Sequence, residues 1–218
     1  TWADYQARNN NELLAIFGNF VNRTVVLTHK YYGGIVPEKG EYSDYENEIV
    51  AKMAQFPKLI GDSIEQYRFR EALQEFMNLA RLGNKYLTDT EPWKKQKENP
   101  EVVKTILHLS LQICASLSVL CEPFLPFTAQ KLQRMLNINT KAWSDGGRAD
   151  LLAAGSQLNP AEYLFEKIED DVVAKQVQKL EDTKKANEIA NATAEPNRSE
   201  KKDRQPGCSA ISASSAER

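Results

Sequence analysis

The stretch VVKTILHLSLQICASLSVLCEPFLP, residues 102–126, constrains the fold more than any other part of the chain. It is apolar nearly all the way round. Wound as a helix, it has no face to turn to water and must lie centrally, with other elements on every side. Asn99 and Pro100 open it as a cap followed by a first-turn proline, where the missing N–H costs nothing. Pro123 and Pro126 interrupt it. No apolar run is read as reaching the ~18–20 residues of a membrane span. A helix buried on all sides needs amphipathic partners, and the rest of the sequence supplies them.

Residues 9–32 read as a long helix with an Asn9/Glu12 capping box. Leu13, Phe17, Phe20, Val21, Thr24, Val25, Thr28 and Tyr32 recur along it at steps of three and four. Gly33 and Gly34 end it. A second helix opens on a box of Ser43 and Glu46, carries Ile49, Met53, Phe56, Ile60 and Ile64, and should kink at Pro57. A third runs from about Arg68 to Leu87 with Leu73, Phe76, Met77, Ala80 and Tyr86 inward. A loop with Trp93 precedes the central helix, and a shorter helix, Thr128–Leu136, follows it. No segment alternates as a strand does. The expected fold is all-α, an antiparallel helix bundle. Its expected organisation is a bundle over residues 1–136, an irregular connection over 137–168, a very polar helix over 169–190 and a disordered tail or linker over 191–218.

Catalytic chemistry is hard to place. The chain has two histidines: His29 lies near the edge of the first helix's polar face, and His108 falls in the central helix, where a hydrogen-bonded core role is expected. Cys114 and Cys121 sit in the same apolar run and read as small core residues; Cys208 completes an odd count at no metal-ligand spacing. No nucleotide-binding glycine pattern, zinc-protease pattern or nucleophile elbow occurs. The expectation is no catalytic residue, no metal and no cofactor within this chain, and a reducing cytoplasm as its setting.

Binding is the better class. On a helical wheel at about 100° per residue, Asn22, Val26 and Lys30 fall opposite the first helix's apolar stripe, one turn apart, flanked by Asn19 and Arg23. Amide and cationic side chains together can read base edges and hold phosphate. Trp93 follows Pro92 in the charged stretch TDTEPWKKQKENP, with Lys94, Lys95 and Lys97 after it. Such a tryptophan suits stacking on an unpaired base, and equally suits a ring folded back to plug the bundle end. Net charge is −2, so a nucleic-acid surface would have to be local. A helical protein–protein interaction module fits the same features.

Taken together, GNFVNRTVVLTHKYYGGIVP, YRFREALQEFMNLARLGNKYLTDTEPWK, EPFLPFTAQKLQRMLN and LLAAGSQLNPAEYLFEKIEDDVV resemble the C-terminal region of a class I methionyl-tRNA synthetase. The resemblance runs through residues 1–180. It implies an anticodon-binding domain that recognises CAU in the anticodon stem-loop of the methionine tRNA. Trp93 occupies the position of the family's base-stacking tryptophan, with Pro92 shaping the loop and Lys94 and Lys95 beside it. Asn22 matches the first of two asparagines that face the anticodon; Val26 stands where the second would be, and Lys30 replaces an arginine, keeping charge but losing the planar fork. The parent's activity would be ATP-dependent attachment of methionine to its tRNA. The resemblance places the methionine and ATP sites in a catalytic domain outside this chain, which would be its intramolecular partner, and implies no membrane.

Overall fold

The computed structural model describes residues 1–139 and 141–194. The chain forms two compact units, one running to Glu169 and the other beginning at Asp170 and including Trp2.

In the first unit the fold is all-α. Among the described residues the only β pairing is an isolated antiparallel bridge between Ile35 and Gln157. The central element is α7, Pro100–Leu120, capped by Asn99, whose side chain accepts from the Val102 amide. From Thr105 to Leu120 every residue is buried. At 21 residues α7 is long and apolar enough to cross a membrane, contrary to the sequence reading, but 89% of its most apolar window is buried inside the protein. Packing accounts for its composition. His108 is a satisfied core residue: Nδ1 meets the Pro37 carbonyl at 2.8 Å and Nε2 meets the Gln112 amide at 3.1 Å. Cys114 and Cys121 are free and buried, and burial pushes the Cys121 thiol up to about 12.

The chain enters through a continuous helical run from residue 2 to 32: α1 (Trp2–Arg8), a π-helical segment (Asn9–Gly18) and α2 (Asn19–Tyr32). The expected start at Asn9 is therefore corrected. Thr1 caps the run by accepting from the Asp4 amide. Asn9 and Asn10 instead spend their amides on the returning segment, Asn9 Nδ2 donating to the Glu166 carbonyl and Asn10 bonding both the N–H and the carbonyl of Ile168. Glu12 pairs with Arg8 and Arg81. No breaker precedes Asn9, so the helix propagates through it.

The Ser43/Glu46 capping box does open α3, Asp44–Met53. Pro57 does not kink a longer helix; the chain breaks at Ala54 and Gln55, and Pro57 sits in the first turn of a new helix, α4 (Phe56–Glu65), where proline is tolerated. Helix α5 spans Phe69–Thr90 with Phe76, Met77, Ala80 and Tyr86 buried as expected. Leu73 is the exception, 40% exposed beside a groove floored by Met77, Phe124 and Leu125. A short helix α6 (Pro92–Lys95) links α5 to α7, and α8 (Pro126–Leu136) follows. The stretch expected to be irregular holds one 3-10 turn, Trp143–Asp145.

Helices α4 and α5, α5 and α7, and α7 and α8 pack in succession, with α2 laid across α5 and α7. That crossing is tight because residue 83 is glycine: a Cβ there would stand 2.5 Å from Phe20 Cζ and 3.0 Å from Ile113 Cγ2. In the second unit α9, Asp170–Ala194, is solvated along its length and carries one-turn pairs such as Asp171–Lys175 at 2.8 Å. It extends beyond the expected end at residue 190. The tail expected from residue 191 otherwise lies outside the described residues.

Candidate nucleic-acid interface

Helix α5 ends at Glu91, which takes a left-handed conformation (φ 45, ψ 57). This is disfavoured twice over, because Glu91 has a Cβ and precedes a proline. The reversal turns the chain sharply back, so that Pro92, Trp93, Lys94 and Lys95 form one helical turn rather than an open loop. Pro92 is buried and fixes the base of the turn. The Glu91 carboxylate reaches forward to Lys94 at 2.8 Å.

Trp93 is partly exposed, at 36%, and the Arg23 guanidinium lies over its ring, 4.8 Å from the centroid. Arg23 in turn points Nη1 at Asn84 Oδ1, 3.5 Å away on α5. Thus α2, α5 and the 92–95 turn meet at one place. A second tie lies one end further along α2, where the Tyr32 hydroxyl bonds Gln96 Oε1 at 3.4 Å and the Pro100 carbonyl at 3.3 Å.

The wheel positions follow on the same helix. Asn22, adjacent to Arg23, is half-buried; Val26 is 43% exposed; Lys30 is exposed, its ammonium 5.6 Å from the Tyr31 ring centroid. Among the described residues the Asn22 amide has no hydrogen-bond partner, and Arg23, Lys30, Lys95 and Lys97 have no carboxylate partner. Lys94 differs, its charge being shared with Glu91. The face therefore presents an amide, an apolar patch, an aromatic ring and several uncompensated cations. Hydrogen bonding to base edges, stacking and phosphate contact are all available to it. His29, by contrast, is taken up structurally, its Nε2 on the Asn159 carbonyl at 2.9 Å.

The turn is held from beneath. Tyr86 on α5 donates to Glu46 Oε1 at 3.0 Å, and Tyr45 donates to Asp89 Oδ2 at 2.8 Å. Burial raises the Glu46 carboxyl's affinity for protons, but hydrogen bonds from Ser43 and Tyr86 outweigh it and hold the pKa below its ordinary value. Burial followed by the bond to Asp89 pushes Tyr45 up to about 12. The capping glutamate of α3 thus also anchors the last turns of α5.

Sequence reasoning undervalued Arg23 and missed Asn84. Arg23 was legible only as a flank of the polar face. Nothing in the spacing of Asn84 tells that α2 crosses α5 there; the glycine at 83 is the one signal of a close approach.

The sequence pattern of the anticodon-binding domain of methionyl-tRNA ligase matches residues 36–185. A methionine–tRNA ligase of Cytophaga hutchinsonii is 59% identical over 196 residues, covering 90% of this chain and 28% of that protein. One from Bacteroides fragilis is 55% identical over 196 residues, again 90% of this chain and 29% of the relative. The chain therefore spans less than a third of the length of these relatives. Among solved structures, ligand-free Mycobacterium tuberculosis methionyl-tRNA synthetase superposes with a TM-score of 0.70 at 21% identity, over 75% of this chain and 34% of that one. At that identity the likeness bears on the fold alone.

Proposed function

Because the chain belongs to the methionyl-tRNA ligase family, as its anticodon-binding domain, we propose that it reads the CAU anticodon of the methionine tRNA through the face built on α2 and the 92–95 turn. Trp93 stacks on the first anticodon base. Asn22 offers donor and acceptor to a base edge, Val26 gives an apolar contact, and Lys30, Lys95 and Lys94 serve nearby phosphates, Lys94 less because Glu91 competes for it. The whole protein attaches methionine to its tRNA with ATP in the cytoplasm, through a catalytic part outside this chain; the chain alone activates no amino acid. The observation that supports the reading is the contact of Trp93 with Arg23, which brings the ring against α2, the helix that also bears Asn22, Val26 and Lys30.

The test is binding of a CAU stem-loop by Trp93→Ala and Lys95→Ala. Trp93→Ala is expected to lose ~1–3 kcal/mol of binding, the usual value of one base stack, and to lower melting by about 2–4 °C, because the residue is only 36% exposed in the free protein. Lys95→Ala is expected to weaken CAU and non-CAU loops alike and reduce the salt slope by about 1. A Trp93→Ala protein that binds CAU loops as the unaltered chain does would refute the reading.

A further inference from the structure

We infer that the groove between α1 and the N-terminal half of α5 is a docking surface for a helix with an apolar stripe and a carboxylate, supplied by the part of the whole protein that lies outside this chain. The inference rests on family membership and on none of the residues assigned to the anticodon.

The groove encloses about 880 Å³. One wall is α1 with the π-helical segment after it, presenting Asp4, Arg8, Glu12 and Leu13; the other is α5, with Arg70, Leu73 and Met77. Phe124 and Leu125, between α7 and α8, floor it. A second hollow of about 320 Å³ continues along α5, sharing Asn78 and Arg81 with the first and adding Leu59 and Leu82. From Arg70 to Lys85 the helix rises about 22 Å, roughly four helical turns. A long apolar trough with charged rims suits a helix laid along it. It lies away from the RNA face, Met77 being about 20 Å from Thr90 along α5.

Three observations select the occupant. Leu73 is 40% exposed, and Phe69 and Phe127, next to the groove in sequence, are exposed as well. Apolar surface gathered in this way marks a contact site. The second observation is charge. Arg8 pairs with Asp4 at 3.7 Å and with Glu12 at 2.6 Å, and Arg81 reaches Glu12 at 3.2 Å. Of the three rim arginines only Arg70 has no ion pair among the described residues. Rims so nearly neutral do not suit a nucleic acid, which binds through several uncompensated cations. One free cation beside an apolar trough matches one carboxylate on an apolar partner. The third is length. The 196 matched residues are 28% of the Cytophaga hutchinsonii ligase, so most of that relative lies outside the matched region. A covalently joined part meets the groove at high effective concentration. Interfaces between domains of one chain are also more polar than permanent ones between chains, as this charge-rimmed trough is.

The experiment follows maleimide labelling of Leu73→Cys in two settings, both with Cys208→Ser: the 218-residue chain alone, and the same chain grafted into the Cytophaga hutchinsonii ligase in place of its matched region. Cys114 and Cys121 are buried and stay unlabelled. Val102→Cys on α7 is the control, its native residue being 40% exposed like Leu73. Leu73→Cys is expected to label about tenfold more slowly in the graft, and Val102→Cys at the same rate in both. Adding Arg70→Glu should return the Leu73→Cys rate in the graft most of the way to that of the chain alone. Because Arg70 is exposed, the change should leave the melting of the chain alone unmoved. It should also leave CAU stem-loop binding within about twofold, since salt screens charges farther apart than about 8 Å. Should Val102→Cys differ between the settings, hydrogen exchange on the unaltered relative, whole and trimmed to its matched region, decides the matter; slower exchange is then expected in the α5 equivalent of the whole protein. Equal Leu73→Cys rates in the two settings, slowing in the chain alone as its concentration rises (a second copy in the groove), or loss of CAU binding by Arg70→Glu (an RNA surface) would each overturn the proposal. Trp93→Ala decides the anticodon reading separately, and either result stands without the other.

Discussion

At the N-terminal end of α5, Tyr67 and Phe69 stand in solvent edge-to-face, their centroids 6.2 Å apart. At the C-terminal end, about 33 Å away by the rise of a 22-residue helix, Tyr86 and Asp89 are bonded to Glu46 and Tyr45 on α3. Each end also carries a residue with a side chain in the left-handed region, Tyr67 (φ 58) and Glu91 (φ 45). Tyr67 closes α4 where glycine is favoured, its amide donating to the Ile64 carbonyl and the Arg68 amide to the Ser63 carbonyl. Among the described residues no polar group fixes the Tyr67 ring, which is 82% exposed. Glu91 instead begins a turn supported by a buried carboxylate and a buried proline. The contrast teaches that backbone strain by itself does not mark the candidate site. What marks it is strain backed by hydrogen-bonded anchors and facing uncompensated cations.

The comparison breaks first at Glu46. Glu46→Ala removes the glutamate half of the α3 capping box and the partner of the buried Tyr86 hydroxyl together. The expected loss is about 2–3 kcal/mol, or roughly 5–10 °C in melting temperature at this size. Calorimetry of the variant checks it; a loss below 1 °C would mean the C-terminal end is not anchored there. Gly83→Ala comes next. Phe20 and Ile113 are fully buried and cannot withdraw from a Cβ 2.5 Å from one of them, so overpacking of about 1–2 kcal/mol should exceed the gain in helix propensity. Denaturant unfolding measures this, and a stabilised variant would show that the α2–α5 crossing has slack.

Tyr67→Gly works in the opposite direction. It relieves the left-handed strain and removes an exposed ring, raising stability by about 1 kcal/mol and melting by ~2–4 °C. CAU stem-loop affinity should not change. An affinity loss would join the two ends functionally and dissolve the contrast drawn between them. The smallest effect is in acid. The folded Glu46 pKa lies below its unfolded value, so its contribution is present above about pH 4.3 and is lost as pH falls through the folded pKa. Melting followed from pH 6 down to about pH 3 should therefore fall less steeply for Glu46→Gln than for the unaltered chain; parallel curves would exclude the carboxylate as a source of acid sensitivity.

Periodicity and local punctuation settled much of this protein without any structure. The all-round apolar run could only be a central helix, Asn99-Pro100 and Ser43/Glu46 mark real helix starts, and Gly33 ends α2 in a left-handed cap. Those signals act within a few residues of chain, so sequence carries them whole. It also put Asn22, Val26 and Lys30 on one face, because their spacing is that of the helix itself. What it could not decide depends on which elements meet. Asn9 reads as a cap until residues 166–168 return to claim its side chain and its neighbour's. Leu73 reads as core, yet the groove beside it leaves it exposed. Trp93 reads equally as probe or plug, and only the packing of α2 against α5 beside Gly83 brings Arg23 both over the ring and to Asn84. Sequence fixes helices because hydrogen bonding along them is local; the side chains that meet across 61 residues, as Arg23 and Asn84 do, are chosen by packing.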